Sequence, residues 1–213
     1  MSEPDDTIIA GSKTCRDWRV FRNQLQPGGE AAFWEEAFEN YFRSRIRLRY
    51  LDPIQRLQEL NMKQGEGFSI VAIHCTLIEF LESTLQGISY HFTQRDEDLG
   101  PFEYRSSSRV FKEFLCKRQP FARTFARTSD SALAEDFYAN VRCGVLHEAR
   151  TKNGWKIRAD GPPGTIVDPM LRLVFHKNFQ AALLEFVEWY KSALASDRPL
   201  QEAFLRKFNS LCE

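Results

Sequence analysis

Within FYANVRCGVLHEARTKNGWKI, residues 137–157, an arginine and a histidine stand five positions apart, Arg142 and His147. A histidine near its ordinary pKa can take and return a proton close to neutral pH. An arginine can hold a phosphate through two parallel hydrogen bonds. Together they are a minimal kit for cutting RNA without a metal. A base removes the 2′-hydroxyl proton, the oxygen attacks the adjacent phosphorus, and a proton reaches the leaving 5′-oxygen. The cation meanwhile balances the growing negative charge. The neighbourhood is cationic, with Arg150, Lys152, Lys156 and Arg158 following and Glu148 the one acid between positions 142 and 158. That charge suits a polyanion, and Arg150, Lys152 and Lys156 are the candidate substrate-binding residues.

Spacing alone selects weakly, since about one Arg-x(4–6)-His match is expected by chance in such a chain. In an uninterrupted helix, residues five apart lie about 140° around the axis and do not face one another. Either Gly144 bends or ends the helix, or the two side chains meet across a dimer. A purely structural reading stands beside the chemical one: Arg142 salt-bridges Glu135, Asp136 or Glu148, and His147 caps a helix end. Cys143 lacks the visible base and orienting partner that a nucleophile needs.

Hydrophobic periodicity predicts the frame that carries these residues. Trp34, Phe38, Tyr41, Phe42 and Ile46 recur at spacings of three and four, giving a helix over 30–50, and Asp52-Pro53 starts another, running to about Met62. The most apolar helix, 68–88, buries Ile70, Ile73, Leu77, Leu81 and Leu85, with His74 beside them as a satisfied core histidine. A short helix covers 108–117. Ser129-Asp130-Ser131 caps the helix bearing Leu133, Phe137, Val141 and Val145. Trp155–Arg158 alternates, Thr165–Val167 is β-branched, and Gly161-Pro162-Pro163-Gly164 lies between, predicting a small hairpin. Asp168-Pro169 restarts a helical pattern through about Ala195, and 200–211 forms the last helix. The expected fold is mainly all-α, a helical bundle with a small β-hairpin insertion near 155–168. Residues 1–12 are expected to be disordered and 13–213 to form a single domain.

Two further cationic segments have two readings each. Arg43, Arg45, Arg47 and Arg49 make either a solvated helix face or a phosphate-facing ridge. Lys117, Arg118, Arg123 and Arg127, interleaved with Phe121 and Phe125, suit either a nucleic-acid backbone or a loop tacked to the core by two phenylalanines.

Other classes are disfavoured. Five cysteines, odd in number and far apart, argue for a reducing cytoplasm and against a disulfide framework or Cys-x-x-Cys zinc site. His74, His91, His147 and His176 share no ligand-like spacing, so no metal or other cofactor is expected. The acidic N-terminus lacks a signal-peptide pattern and the longest apolar run is interrupted by His74, Thr76 and Glu79, so no membrane partner is expected. Formal net charge is zero, which excludes a bulk nucleic-acid binder but not a local basic patch.

The arrangement Arg142-Cys143-Gly144-Val145-Leu146-His147, at the end of an apolar helix in an all-α chain of this size, resembles the HEPN family. The phrase RCGVLHEARTKNGWKI is similar to bacterial proteins of that broad class. The resemblance implies a metal-independent endoribonuclease site shared across a two-fold homodimer, with Arg142 holding phosphate and His147 transferring protons. It further implies RNA as substrate, a toxin–antitoxin, anti-phage defence or RNA-processing role, and an antitoxin or regulatory protein as a further partner. Some members are catalytically silent and serve as dimerisation, partner-binding or nucleotide-binding modules, which is the alternative. The family often places Asn, Asp or His after the arginine, and this chain has Cys143, a weak donor. Either activity is reduced or another side chain, with Glu79 and Glu82 the candidates, fills that role.

Overall fold

Helical turns dominate the computed structural model, which describes residues 3–60, 65–126 and 132–213. The fold is mainly α, with short strands. β1 (Ile8–Ala10) pairs antiparallel with β2 (Lys13–Thr14), and β3 (Ser89–Tyr90) runs parallel to β4 (Glu103–Tyr104). β5 (Lys156–Arg158), β6 (Val167–Asp168) and β7 (Leu173–Phe175) form a sheet in the order β5-β7-β6. Where the sequence reads as one domain over 13–213, the chain divides into two compact units. One comprises the chain up to Leu51 with Ser83–Ser106 and Trp189–Glu213, the other Asp52–Glu82 with Ser107–Glu188.

The first unit is organised by aromatic side chains. Thr14 and Asp17 form a reciprocal capping box that starts the helix Cys15–Phe21 and turns Trp18 inward. The Trp18 indole donates to Asn209 Oδ1 at 2.9 Å, and its ring lies 5.0 Å from that of Tyr41. Phe204 and Phe208, from the last helix Arg198–Ser210, stack at 4.4 Å beside it. Trp34, Phe38, Tyr41, Phe42 and Ile46 are all buried, as their spacing predicts. The helical run that carries them contains two wide, π-helical segments, Phe38–Arg43 and Arg47–Leu51. Residues 8–10 form strand β1. Its carbonyl groups are claimed by the helix, Arg45 donating to Ile9 O and Arg49 to Ile8 O at 3.0 Å.

The second unit takes residues 66–82 of the helix Glu66–Gln86, in which Ile70, Leu77 and Leu81 are buried as expected and Ile73 only partly. Among the described residues this helix is long and apolar enough to cross a membrane, and most of it is buried within the protein. His74 is a core histidine, as expected, but only in part satisfied: its Nε2 lies 2.7 Å from Gln180 Oε1 and its ring stacks on Phe179, while its buried Nδ1 has no hydrogen-bond partner among the described residues. Fully buried Glu82 accepts two hydrogen bonds from Arg118, at 2.7 and 2.8 Å. Phe121 and Phe125 are fully buried, so the cationic segment around them is tacked to the core. Its Arg127, like the Ser129-Asp130-Ser131 cap and Met62, lies outside the described residues.

The expected hairpin between 155–158 and 165–167 does not form. β5 runs parallel to β7 at the centre of the sheet, and the hairpin is instead β6–β7. Asp168 Oδ1 accepts from Leu171 N at 2.9 Å and Arg172 adopts φ 51°, so Asp168-Pro169 opens a tight turn rather than a helix. Leu173, Val174 and Phe175 are buried on both faces, and the helix starts at His176.

Two predictions follow from the buried polar groups of this unit. Arg118→Met removes both guanidinium hydrogen bonds from the buried Glu82 carboxylate and should cost about 3–5 kcal/mol in urea denaturation. The double variant with Glu82→Leu should recover most of that loss. Burial, with His176 nearby and against the Gln180 hydrogen bond, lowers the His74 pKa to about 3. In the unfolded chain the same group titrates near about 6.5, so stability is fully present above that pH and falls as pH drops toward 3. His74→Gln should flatten this acid-side slope.

Candidate functional site

The stretch bearing Arg142 is one helical run with a change of pitch. Ala132–Phe137 is α-helical, Tyr138–Arg142 is π-helical, and Cys143–Glu148 returns to α. Phe137, Val141 and Val145 are buried as expected. Gly144 neither ends nor breaks the helix, which continues to Glu148. It serves instead as the point against which the chain doubles back. Arg150 N donates to Gly144 O at 3.3 Å and Lys152 N to Asn140 O at 2.8 Å. A Cβ at position 144 would lie 2.5 Å from Arg150 O, so no larger residue fits. Ala149 at φ 52° reverses the chain, and Asn153 with Gly154, both at positive φ, turns it into β5.

Asp136 pins this return. It accepts from the Trp155 indole at 2.7 Å, from Asn140 at 2.8 Å and from Asn153 at 3.4 Å, and Trp155 packs edge-on against Phe137. The sequence offered Asp136 only as a salt-bridge partner for Arg142. The signal for its actual role was the Asp136…Asn140 pair four apart on one helix face.

Arg142 has none of its three expected partners. Glu135 pairs with Lys112, Asp136 with the return segment, and Glu148 with Lys152 at 2.7 Å and Arg150 at 3.1 Å. Its side chain is 13% exposed and ion-pairs with Glu79 at 3.4 Å. It also donates to Ser107 Oγ at 3.2 Å, and its guanidinium sits 5.2 Å above the Tyr138 ring. Ser107 Oγ is in turn 3.0 Å from the Tyr138 hydroxyl. Burial raises the Tyr138 pKa, with Ser107 and Arg142 opposing it. Of the two carboxylates considered for the position left by Cys143, Glu79 touches Arg142 and Glu82 belongs to Arg118.

His147 is exposed, and among the described residues it makes no hydrogen bond or ion pair. Among the described residues no hydrogen bond joins its side chain to Arg142. Of the candidate substrate-binding residues, Arg150 and Lys152 converge on Glu148, holding its carboxyl below the usual range, and Lys156 stands exposed on β5. Cys75 lies near Arg142 and Cys143 but is fully buried, which pushes its thiol up to about 12. No cluster of three or more metal-ligating side chains occurs among the described residues. Comparison with protein-family models, curated proteins and solved structures finds no match for this chain.

Asp136→Ala removes acceptors from Trp155, Asn140 and Asn153 at once. It should lower stability in urea denaturation by about 1–3 kcal/mol and speed amide hydrogen exchange at Lys152 and Trp155.

Proposed function

We propose that this chain is a metal-independent endoribonuclease of HEPN-like helical architecture, cutting RNA by 2′-hydroxyl attack. What supports the reading is the contrast between the two motif residues. Arg142 is a cation whose direction is set by Glu79, Ser107 and the Tyr138 ring. His147 is exposed, with no hydrogen bond or ion pair among the described residues, and so open to substrate. In this reading the site is completed in a homodimer, each phosphate taking Arg142 from one protomer and His147 from the other. Glu79 supplies the polar neighbour that Cys143 does not. A cytoplasmic toxin or anti-phage component, restrained by an antitoxin or regulator, is the setting that fits such an enzyme.

A catalytically silent dimerisation or nucleotide-binding module is the second reading. It rests on the Arg142–Glu79 ion pair, which already neutralises the cation that phosphate would need.

The deciding measurement is cleavage of labelled RNA and matching DNA in EDTA, alongside Arg142→Ala and His147→Ala. The nuclease reading expects RNA-only cleavage, reduced about 10²–10⁴-fold by His147→Ala and similarly by Arg142→Ala, with His147→Ala keeping the thermal midpoint of the parent. A His147→Ala protein as active as the parent overturns the proposed site. Absence of cleavage across a panel of structured and unstructured RNAs favours the silent module.

A further inference from the structure

Four arginines occupy alternate positions in the first unit, 43, 45, 47 and 49, and the structure separates them into two rows. Residues four apart share a helix face. Arg45 and Arg49 form the row that holds β1 by its carbonyl groups. Arg43 and Arg47 form the other, and it borders a cleft of about 280 Å³ whose far wall is the β1–β2 turn, with Ser12 and Lys13. Asn40 and Ser44 complete the polar lining.

Three properties of this cleft point to one kind of ligand. Its lining is cationic, with Lys13, Arg43 and Arg47 beside one acid, Glu39. That carboxylate pairs with Arg43 at 3.0 Å and also with Lys191 at 2.7 Å, a cation outside the lining, and the lining keeps an excess of positive charge. Its walls are held in place. The turn packs on the helix, a Cβ at Gly11, itself at φ 56°, meeting Ser44 Oγ at 2.4 Å and Leu48 at 3.9 Å, and Arg45 and Arg49 hold the strand that leads into it. Its helical wall includes the end of the π-helical segment Phe38–Arg43, and such widened turns often mark functional sites. The volume is at the small end for ligand sites, which suits a phosphate with a small substituent. Two guanidinium groups, an ammonium and two hydroxyls are the donors such a group accepts from.

We infer that this cleft binds a terminal phosphate monoester, through Lys13, Arg43 and Arg47. The phosphate belongs either to a free mononucleotide-sized metabolite or to the 5′ end of an RNA. The inference stands apart from the Arg142–His147 reading, and its test uses the full chain carrying His147→Ala so that no RNA is cut.

Calorimetric titration compares 5′-AMP with adenosine, and a 5′-phosphorylated RNA decamer with its 5′-hydroxyl counterpart. A phosphate-dependent preference within either pair supports the site and names the source. Lys13→Gln and Arg47→Gln should each weaken that binding about tenfold, and Arg198→Gln, an exposed position on the last helix outside the lining, should leave it unchanged. Thermal midpoints confirm that the variants are folded. Equal binding with and without the phosphate, no binding of any of the four, or binding unaffected by Lys13→Gln and Arg47→Gln overturns the inference.

Discussion

A guanidinium withdrawn from most of its water must find acceptors inside the protein. The Nη2 of Arg142 finds them at Ser107 and, across 63 residues of chain, at Glu79, while its buried Nε has no hydrogen-bond partner among the described residues. Glu79 lies on the long apolar helix, Ser107 begins the helix Ser107–Lys117, and Tyr138 stands one turn before Arg142 itself. Meeting this one charge therefore fixes the register of three helices in the second unit. Sliding any of them by a residue would strand a cation in a half-buried position. The widened turn Tyr138–Arg142 belongs to the same constraint, because it lets the Tyr138 ring lie beneath the guanidinium while Val141 stays in the core.

The same division between cations that hold and cations that face outward recurs through the molecule. Arg45, Arg49 and Arg118 are fastened to backbone carbonyls or to a buried carboxylate. Lys156 is exposed. A formal charge of zero thus conceals a sorting by environment that composition cannot express.

The helices were legible because apolar residues at spacings of three and four mark a buried face directly, as Trp34 to Ile46 and Phe137 to Val145 show. The failures have equally definite causes. Leu173-Val174-Phe175 is buried on both faces, and a short apolar run of that kind reads the same in a helix as in a central strand. The ordering of residues 8–10 comes from arginines some forty positions away, outside any local pattern. The motif residues Arg142 and His147 could be picked out by type. Their environments could not, since Glu79 and Ser107 are distant in sequence and the local acids Glu135, Asp136 and Glu148 all have other partners.

The doubled-back chain after His147 has a consequence for proteolysis. A surface segment containing Arg150, Lys152, Lys156 and Arg158 would ordinarily be where a trypsin-like protease cuts first. Such enzymes bind substrate as an extended strand, and here the amides of Arg150 and Lys152 are bonded to carbonyls of the preceding helix. The segment can enter a protease only after it peels away from Gly144 and Asn140, which also means releasing Trp155 from Asp136. The most cationic part of the second unit is thereby shielded from the enzymes that recognise its side chains, for as long as the helix beneath it stays folded.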